Sequence, residues 1–146
     1  MVRVLLDTNQ LVSSLLSARG LQRGLIDAWR RRDFILMLAP GQIEEVGEVL
    51  SRPKIAKKYV ISAEDREMFL NLLRSDAIPL PSKPRPHICR DPDDDFLLGC
   101  AAAGGVNYLI SGDRDLLSLG SFQGVVLLTA REYLSLPVPP PFTSSE

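Results

Sequence analysis

The chain has 146 residues, with 17 Lys+Arg against 18 Asp+Glu and a single His, for a formal net charge of −1. That length favours one domain able to bury its own core, and no run of apolar residues is long enough for a membrane helix. The near-zero charge also lacks the basic excess that usually marks a nucleic-acid-binding domain.

In chain order, Val2-Arg3-Val4-Leu5-Leu6 is an almost continuous apolar run stopped by Asp7, and it reads as a buried strand. Leu11, Leu15 and Leu16 then recur at helical spacing, and Leu21, Leu25, Ile26 and Trp29 mark a second helix reaching about Arg32. Phe34-Ile35-Leu36-Met37-Leu38 is the second strand, stopped by Pro40. Ile43, Val46 and Leu50 mark a third helix that ends at Arg52-Pro53, because a residue before proline is pushed out of helical conformation. Ser62 and Asp65 have capping-box spacing ahead of a fourth helix through Phe69, Leu72 and Leu73. Ala77-Ile78-Pro79-Leu80 is a weaker strand, and Pro79 confines it to a sheet edge. Asp94 to Gly104 reads as a fifth helix stopped by Gly104-Gly105. Asn107-Tyr108-Leu109-Ile110 is the next strand, followed by a short turn at Asp113–Leu117. Val125-Val126-Leu127-Leu128 is the last strand, and Thr129 caps a final helix through Tyr133.

Strands apolar on both faces and alternating with helices predict a three-layer α/β/α sandwich with a central, mainly parallel sheet of four to five strands. The expected organisation is one domain over residues 1–135. A Pro-rich tail over 136–146, ending Thr143-Ser144-Ser145-Glu146, is expected to be disordered or extended. The first apolar run is short and meets Asp7 at once, unlike a secretory leader. Cys89 and Cys100 make neither a disulfide scaffold nor a thiolate metal site, so a reducing cytoplasm is the expected setting.

In an open parallel sheet, ligands bind beyond the carboxyl ends of the strands, so carboxylates there carry more information than carboxylates elsewhere. Asp7 follows the first strand, and Asp113 and Asp115 follow the fourth after Ser111-Gly112. Asp91, Asp93, Asp94 and Asp95 lie at or just before the fifth helix, and Glu44 and Glu45 lie in the first turns of the third. Each also has a plain reading. Asp7 caps the following helix, the glutamates favour a helix N-terminus through its dipole, residues 91–95 form a solvated cap, and Asp113-Arg114-Asp115 is a turn. Those readings leave the shared edge unexplained. Converging carboxylates repel one another unless a cation neutralises them. An all-oxygen ligand set with one His in the chain matches Mg²⁺ or Mn²⁺, not zinc.

Together these residues resemble the PIN-domain family of metal-dependent nucleases. The apolar run into Asp7-Thr8-Asn9 with Leu11-Val12 resembles the family's opening motif. Ile43-Glu44-Glu45-Val46, ahead of Val49-Leu50-Ser51-Arg52-Pro53-Lys54, resembles its second acidic position. Asp91-Pro92-Asp93-Asp94-Asp95-Phe96-Leu97 with Ala101 resembles its third, and Tyr108 to Leu117, containing Ser111-Gly112-Asp113-Arg114-Asp115, its fourth. The last two point to the toxin components of toxin–antitoxin pairs, VapC-like in general plan. The resemblance implies Asp7, Glu45, Asp94 and Asp113 as catalytic carboxylates and metal ligands, and Thr8, Asn9, Ser111 and Asp115 as supporting residues. Glu45 is preferred to Glu44 because it precedes Val46. Asp94 is preferred to Asp95 because Leu97 and Ala101 then fall three and seven residues downstream. The implied reaction is hydrolysis of RNA phosphodiester bonds with one or two Mg²⁺ or Mn²⁺ ions. The implied partners are an RNA substrate, a cognate antitoxin protein and a second copy in a homodimer. Gln10 departs from the family, which generally has a small apolar residue there; it faces the cleft or is a surface change, and sequence assigns it no role.

Two other phosphoryl-transfer folds fit less well. Haloacid-dehalogenase-like phosphatases need an Asp where Asn9 stands, and response-regulator receivers need a Lys that Leu128-Thr129-Ala130-Arg131 does not supply. A PIN-like module that binds RNA or protein with little or no catalysis is the alternative reading. His87 and Cys89 are spaced like a metal pair but lack further ligands. Arg30, Arg31 and Arg32 either bind RNA phosphates or complement the end of the second helix, and Lys54, Lys57 and Lys58 form a second basic group, solvated or RNA-facing. The charge itself divides. Residues 91–115 hold six Asp against one Arg, and residues 19–58 hold nine Lys+Arg against five Asp+Glu. Near-neutrality is thus a cancellation of an acidic centre by basic surroundings, compatible with nucleic acid after all.

Overall fold

Alternation along the buried strands builds the layers. A computed structural model of the chain describes residues 1–81 and 91–137. Its elements run β1 (Arg3–Leu6), α1 (Thr8–Leu16), α2 (Leu21–Arg30), β2 (Ile35–Leu38), α3 (Gln42–Ser51), α4 (Pro53–Lys58) and α5 (Ala63–Asp76). They continue with β3 (Ile78–Pro79), α6 (Pro92–Ala103), β4 (Tyr108–Ile110), α7 (Arg114–Leu117), β5 (Ser121–Phe122), β6 (Val125–Leu128) and α8 (Ala130–Leu134). Val4, Leu6, Leu36, Leu38 and Ile110 face a core shared with α1, α2, α3, α5 and α8. Leu5, Met37, Leu109 and Leu127 face the opposite way, into a core with Leu97, Leu98, Cys100 and Ala101 of α6 and Leu116 of α7. Successive strand side chains point to opposite faces, so a continuous apolar run is what two covered faces require. The predicted three-layer α/β/α architecture is the observed one.

The sheet order is β3-β2-β1-β4-β6-β5, parallel throughout except for β5 against β6. It has six strands, one more than the upper expected number. The extra strand is β5, closed onto β6 by a two-residue turn, Gln123-Gly124, with Phe122 opposite Val125. Both turn residues have positive φ, 47° and 87°, as a hairpin turn matched to strand twist requires. β3 sits at the other edge, where Pro79 predicted it.

Helix boundaries follow local chemistry. Ser62 and Asp65 form the expected capping box, and Thr129 forms a second with Glu132. Pro53 ends α3, as expected, but it also opens α4 from the first-turn position, where its missing N–H is no loss. α6 starts earlier than expected, at Pro92, because Asp91 caps it through the Asp93 N–H. α2 stops at Arg30 and the chain turns through Arg32, whose φ is +65°. His87 and Cys89 and residues 138–146 of the tail lie outside the described residues. Among those described, no helix is long and apolar enough to cross a membrane.

The chain builds outward from β1 to β2 and β3, then crosses back to place β4 on the other side of β1. That reversal leaves a crevice between the carboxyl ends of β1 and β4.

Candidate active site

Asp7 stands at the crevice on the residue after β1, its N–H bonded to the Ile110 carbonyl at 3.0 Å. One carboxylate oxygen caps α1 by accepting from the Gln10 N–H at 2.8 Å. The other accepts from the Ser111 hydroxyl at 2.5 Å. The capping reading of Asp7 is therefore correct, and the same carboxylate stands at the mouth of the crevice. Ser111 is fully buried, and its oxygen also accepts from the Asp113 N–H at 2.9 Å. Asp113 in turn caps α7, accepting from the Asp115 and Leu116 N–H groups. The turn sequence is thus the device that fixes Asp113 beside Asp7.

Glu45 reaches the crevice from α3. The Thr8 hydroxyl donates to its carboxylate at 2.8 Å, while Glu44 lines a separate recess with Leu73, Arg74 and Pro79. Gln42, 2% exposed, sets this arrangement. Its carbonyl accepts from the Ala39 N–H at 2.9 Å, and its amide donates to the Leu6 carbonyl at 2.9 Å and toward Thr8 Oγ1 at 3.4 Å. Sequence reading passed over Gln42. A glutamine in a helix's first turn carries no periodic signal, and its partner at Leu6 is distant in sequence.

Electrostatics bind the cluster together. Burial pushes the Asp7 carboxyl above its ordinary value, against the opposing effect of its Ser111, Gln10 and Gly112 hydrogen bonds, and Asp113 pushes it further up. Asp94 is raised to about 6, first by burial and then by the negative charges of Asp113, Asp91, Asp7 and Asp115. The structure therefore brings Asp7, Asp94 and Asp113 into one field, with Asp115 at its margin. Asp95 is 5% exposed and turned into the fold, whereas Asp94 is only partly buried. Asn9 is exposed on the first turn of α1. The arginine triplet lies elsewhere: Arg30 pairs with Asp76 and Arg31 with Asp33, and the Ile35 N–H bonds the Val2 carbonyl just beyond them. That is the amino edge of the sheet, opposite the carboxylates.

Carboxylates held in mutual repulsion suit a divalent cation, which offsets the charge that burial penalises. The donor set is all oxygen. Among the described residues no three Asp, Glu, His or Cys side chains are drawn close enough to share one ion, so the cluster is an open acidic cleft.

A mostly parallel sheet between helical layers, with carboxylates gathered at its switch point, defines an α/β domain built to hold charge at the strand ends. The PIN domain model matches residues 3–115, and the chain belongs to the PIN domain family, a nuclease-type fold family whose members usually use divalent metal ions. No curated protein aligns with the chain at significant similarity.

Proposed function

We propose that the chain is a Mg²⁺- or Mn²⁺-dependent endoribonuclease that hydrolyses RNA phosphodiester bonds. The observation that carries this reading is the convergence of Asp7, Asp94 and Asp113 at the β1/β4 crevice, with Asp7 and Asp94 raised toward neutrality by burial and by the charge of Asp113. Asp7, Asp94 and Asp113 would have to draw together to hold one or two cations, and Glu45 would hold a second or orient the attacking water. Bound there, a divalent cation neutralises charge developing on the phosphate and eases deprotonation of water. The chain's own residues keep the carboxylates aimed. Ser111 fixes the Asp7 oxygen, the α7 N-cap fixes Asp113, and Thr8 under Gln42 fixes Glu45. Asn9 and Asp115 lie beside this set as supporting polar groups.

The toxin role draws support from the Asp91–Leu97 and Ser111–Leu117 motifs. It carries with it a cognate antitoxin covering the acidic cleft, a homodimer and a cytoplasmic setting. Incubating labelled RNA with the protein in Mg²⁺, Mn²⁺ or EDTA tests the chemistry. Metal-dependent cleavage that falls about 100-fold or more in Asp94→Asn is the expected result, since charge placed at the transition state is worth several kcal/mol. Cleavage by Asp94→Asn equal to wild type would sink the assignment. RNA retention without metal-dependent cleavage would favour the binding-module alternative.

A further inference from the structure

Gln10 is anchored at one end of its amide and open at the other. The Gln22 side-chain N–H donates to Gln10 Oε1 at 3.2 Å, from the first turn of α2. With that polarity Nε2 turns away from α2. Nε2 then rests over Gly112, where a Cβ atom would approach it to 3.1 Å. Gly112 is outside the left-handed region, so its backbone does not demand glycine, and a side chain there would meet only the end of the Gln10 amide. Gly112 stands between Ser111 and Asp113, and its own N–H bonds the Asp7 carboxylate. Nε2 is therefore a donor at the lip of the acidic cleft. No acceptor for it is found among the described residues, and none of their buried side-chain N or O atoms lacks a partner, so Nε2 reaches solvent.

A neutral donor has a particular use beside such a cluster. Lys or Arg at this lip would pair with the carboxylates and compete with a cation for them. An amide N–H leaves them free yet still binds an anionic oxygen. We infer that Gln10 Nε2 donates to a non-bridging phosphate oxygen of the RNA strand lying across the cleft, with Gln22 as the positioning residue that keeps the donor outward. This inference rests on the nuclease reading for the identity of the strand.

The test compares wild type, Gln10→Met, Gln10→Glu and Gln22→Met. Binding of a short fluorescent RNA is followed by anisotropy in Ca²⁺, and cleavage in Mn²⁺ is resolved into kcat and KM. Gln10→Met removes the donor and is expected to weaken binding about tenfold, the usual worth of a hydrogen bond to a charged group. Gln10→Glu keeps the acceptor facing Gln22, puts negative charge where Nε2 was, and is expected to weaken binding more. Gln22→Met leaves the donor but frees it, raising KM by about threefold with kcat unchanged. Thermal melts of Gln10→Met and Gln22→Met should match wild type, whereas Gln10→Glu, which adds charge beside the carboxylates, should melt slightly lower. RNA affinity unchanged in both Gln10 variants overturns the inference. A wild type that binds RNA but cleaves none overturns the nuclease reading alone, because the Gln10 contrast still registers in binding. A wild type that does neither overturns both.

Discussion

Replacing one oxygen of Asp94 by nitrogen separates the charge of that side chain from its shape. Its carboxyl is raised from 3.8 to about 6, so the folded chain binds this proton more tightly than the unfolded chain. The stability it contributes is complete below about pH 3.8 and is lost as pH rises through about 6. In EDTA, Asp94→Asn should therefore melt like wild type near pH 4 and above it at pH 8. After discounting for solvent screening the gain is about 1 kcal/mol, or roughly 3 °C. A wild type and variant that melt together at pH 8 would mean the repulsion is already relieved within the chain. Gln42 makes the complementary case, a residue whose loss damages the fold directly. Gln42→Leu strands the buried Ala39 N–H and Leu6 carbonyl and should cost about 1–3 kcal/mol in urea unfolding. It also frees Thr8, so kcat should fall even at temperatures where the variant is fully folded. Asp7 and Asp113 were legible in sequence because Asp7 directly follows one apolar run and Asp113 follows another after only Ser111-Gly112. Gln42 was not, since its work is done on backbone atoms that only tertiary structure brings near.

At the scale of elements, legibility follows the strength of the local pattern. The runs ending at Leu6, Leu38, Ile110 and Leu128 are apolar on both faces, and each became a strand of the two-sided sheet. α4 escaped because Pro53 is at once a stop for one helix and a favoured first residue for the next, and the six residues of α4 bury nothing. β5 escaped because two residues carry no periodicity, and Gln123-Gly124 is a weaker turn signal than Asn-Gly. Gly124 has φ +87° with open space around it, so a methyl group there is strained by backbone conformation alone. Gly124→Ala should lower stability by about 1 kcal/mol in chemical denaturation and leave cleavage at the far carboxylate cleft unchanged. A stabilised variant would show that the turn is not held in its positive-φ form. Leu98, fully buried between α6 and the sheet, gives a larger effect. Leu98→Ala should cost about 2–5 kcal/mol by leaving a cavity beneath the helix that carries Asp94.

For the whole molecule, the small net charge conceals a division between the two edges of one sheet. The carboxylates gather where β1 and β4 end, and Arg30, Arg31 and Arg32 gather where β2 begins. The four-residue strands set these edges about 13 Å apart, farther than a dinucleotide in the cleft reaches at about 3.4 Å per nucleotide. The triplet is nonetheless open to phosphate. Its ion pairs with Asp76 and Asp33 join half-exposed side chains, and such surface pairs hold little free energy against a competing anion. RNA length should therefore sort the two edges. In a variant carrying Arg31→Gln and Arg32→Gln, kcat/KM on a short oligonucleotide should stay within about twofold of wild type, because those contacts are sequence-independent and remote from the chemistry. Retention of a long RNA should weaken, and the slope of log K against log salt should fall in magnitude by about 1.4, the release expected for two single-strand phosphate contacts. Equal losses on short and long RNA would place the triplet within reach of the cleft and contradict the separation of edges. An unchanged salt slope on long RNA would leave the triplet with its helix-terminal role alone, and the basic partner of the acidic centre would then have to be sought on α4, where Lys54, Lys57 and Lys58 stand exposed.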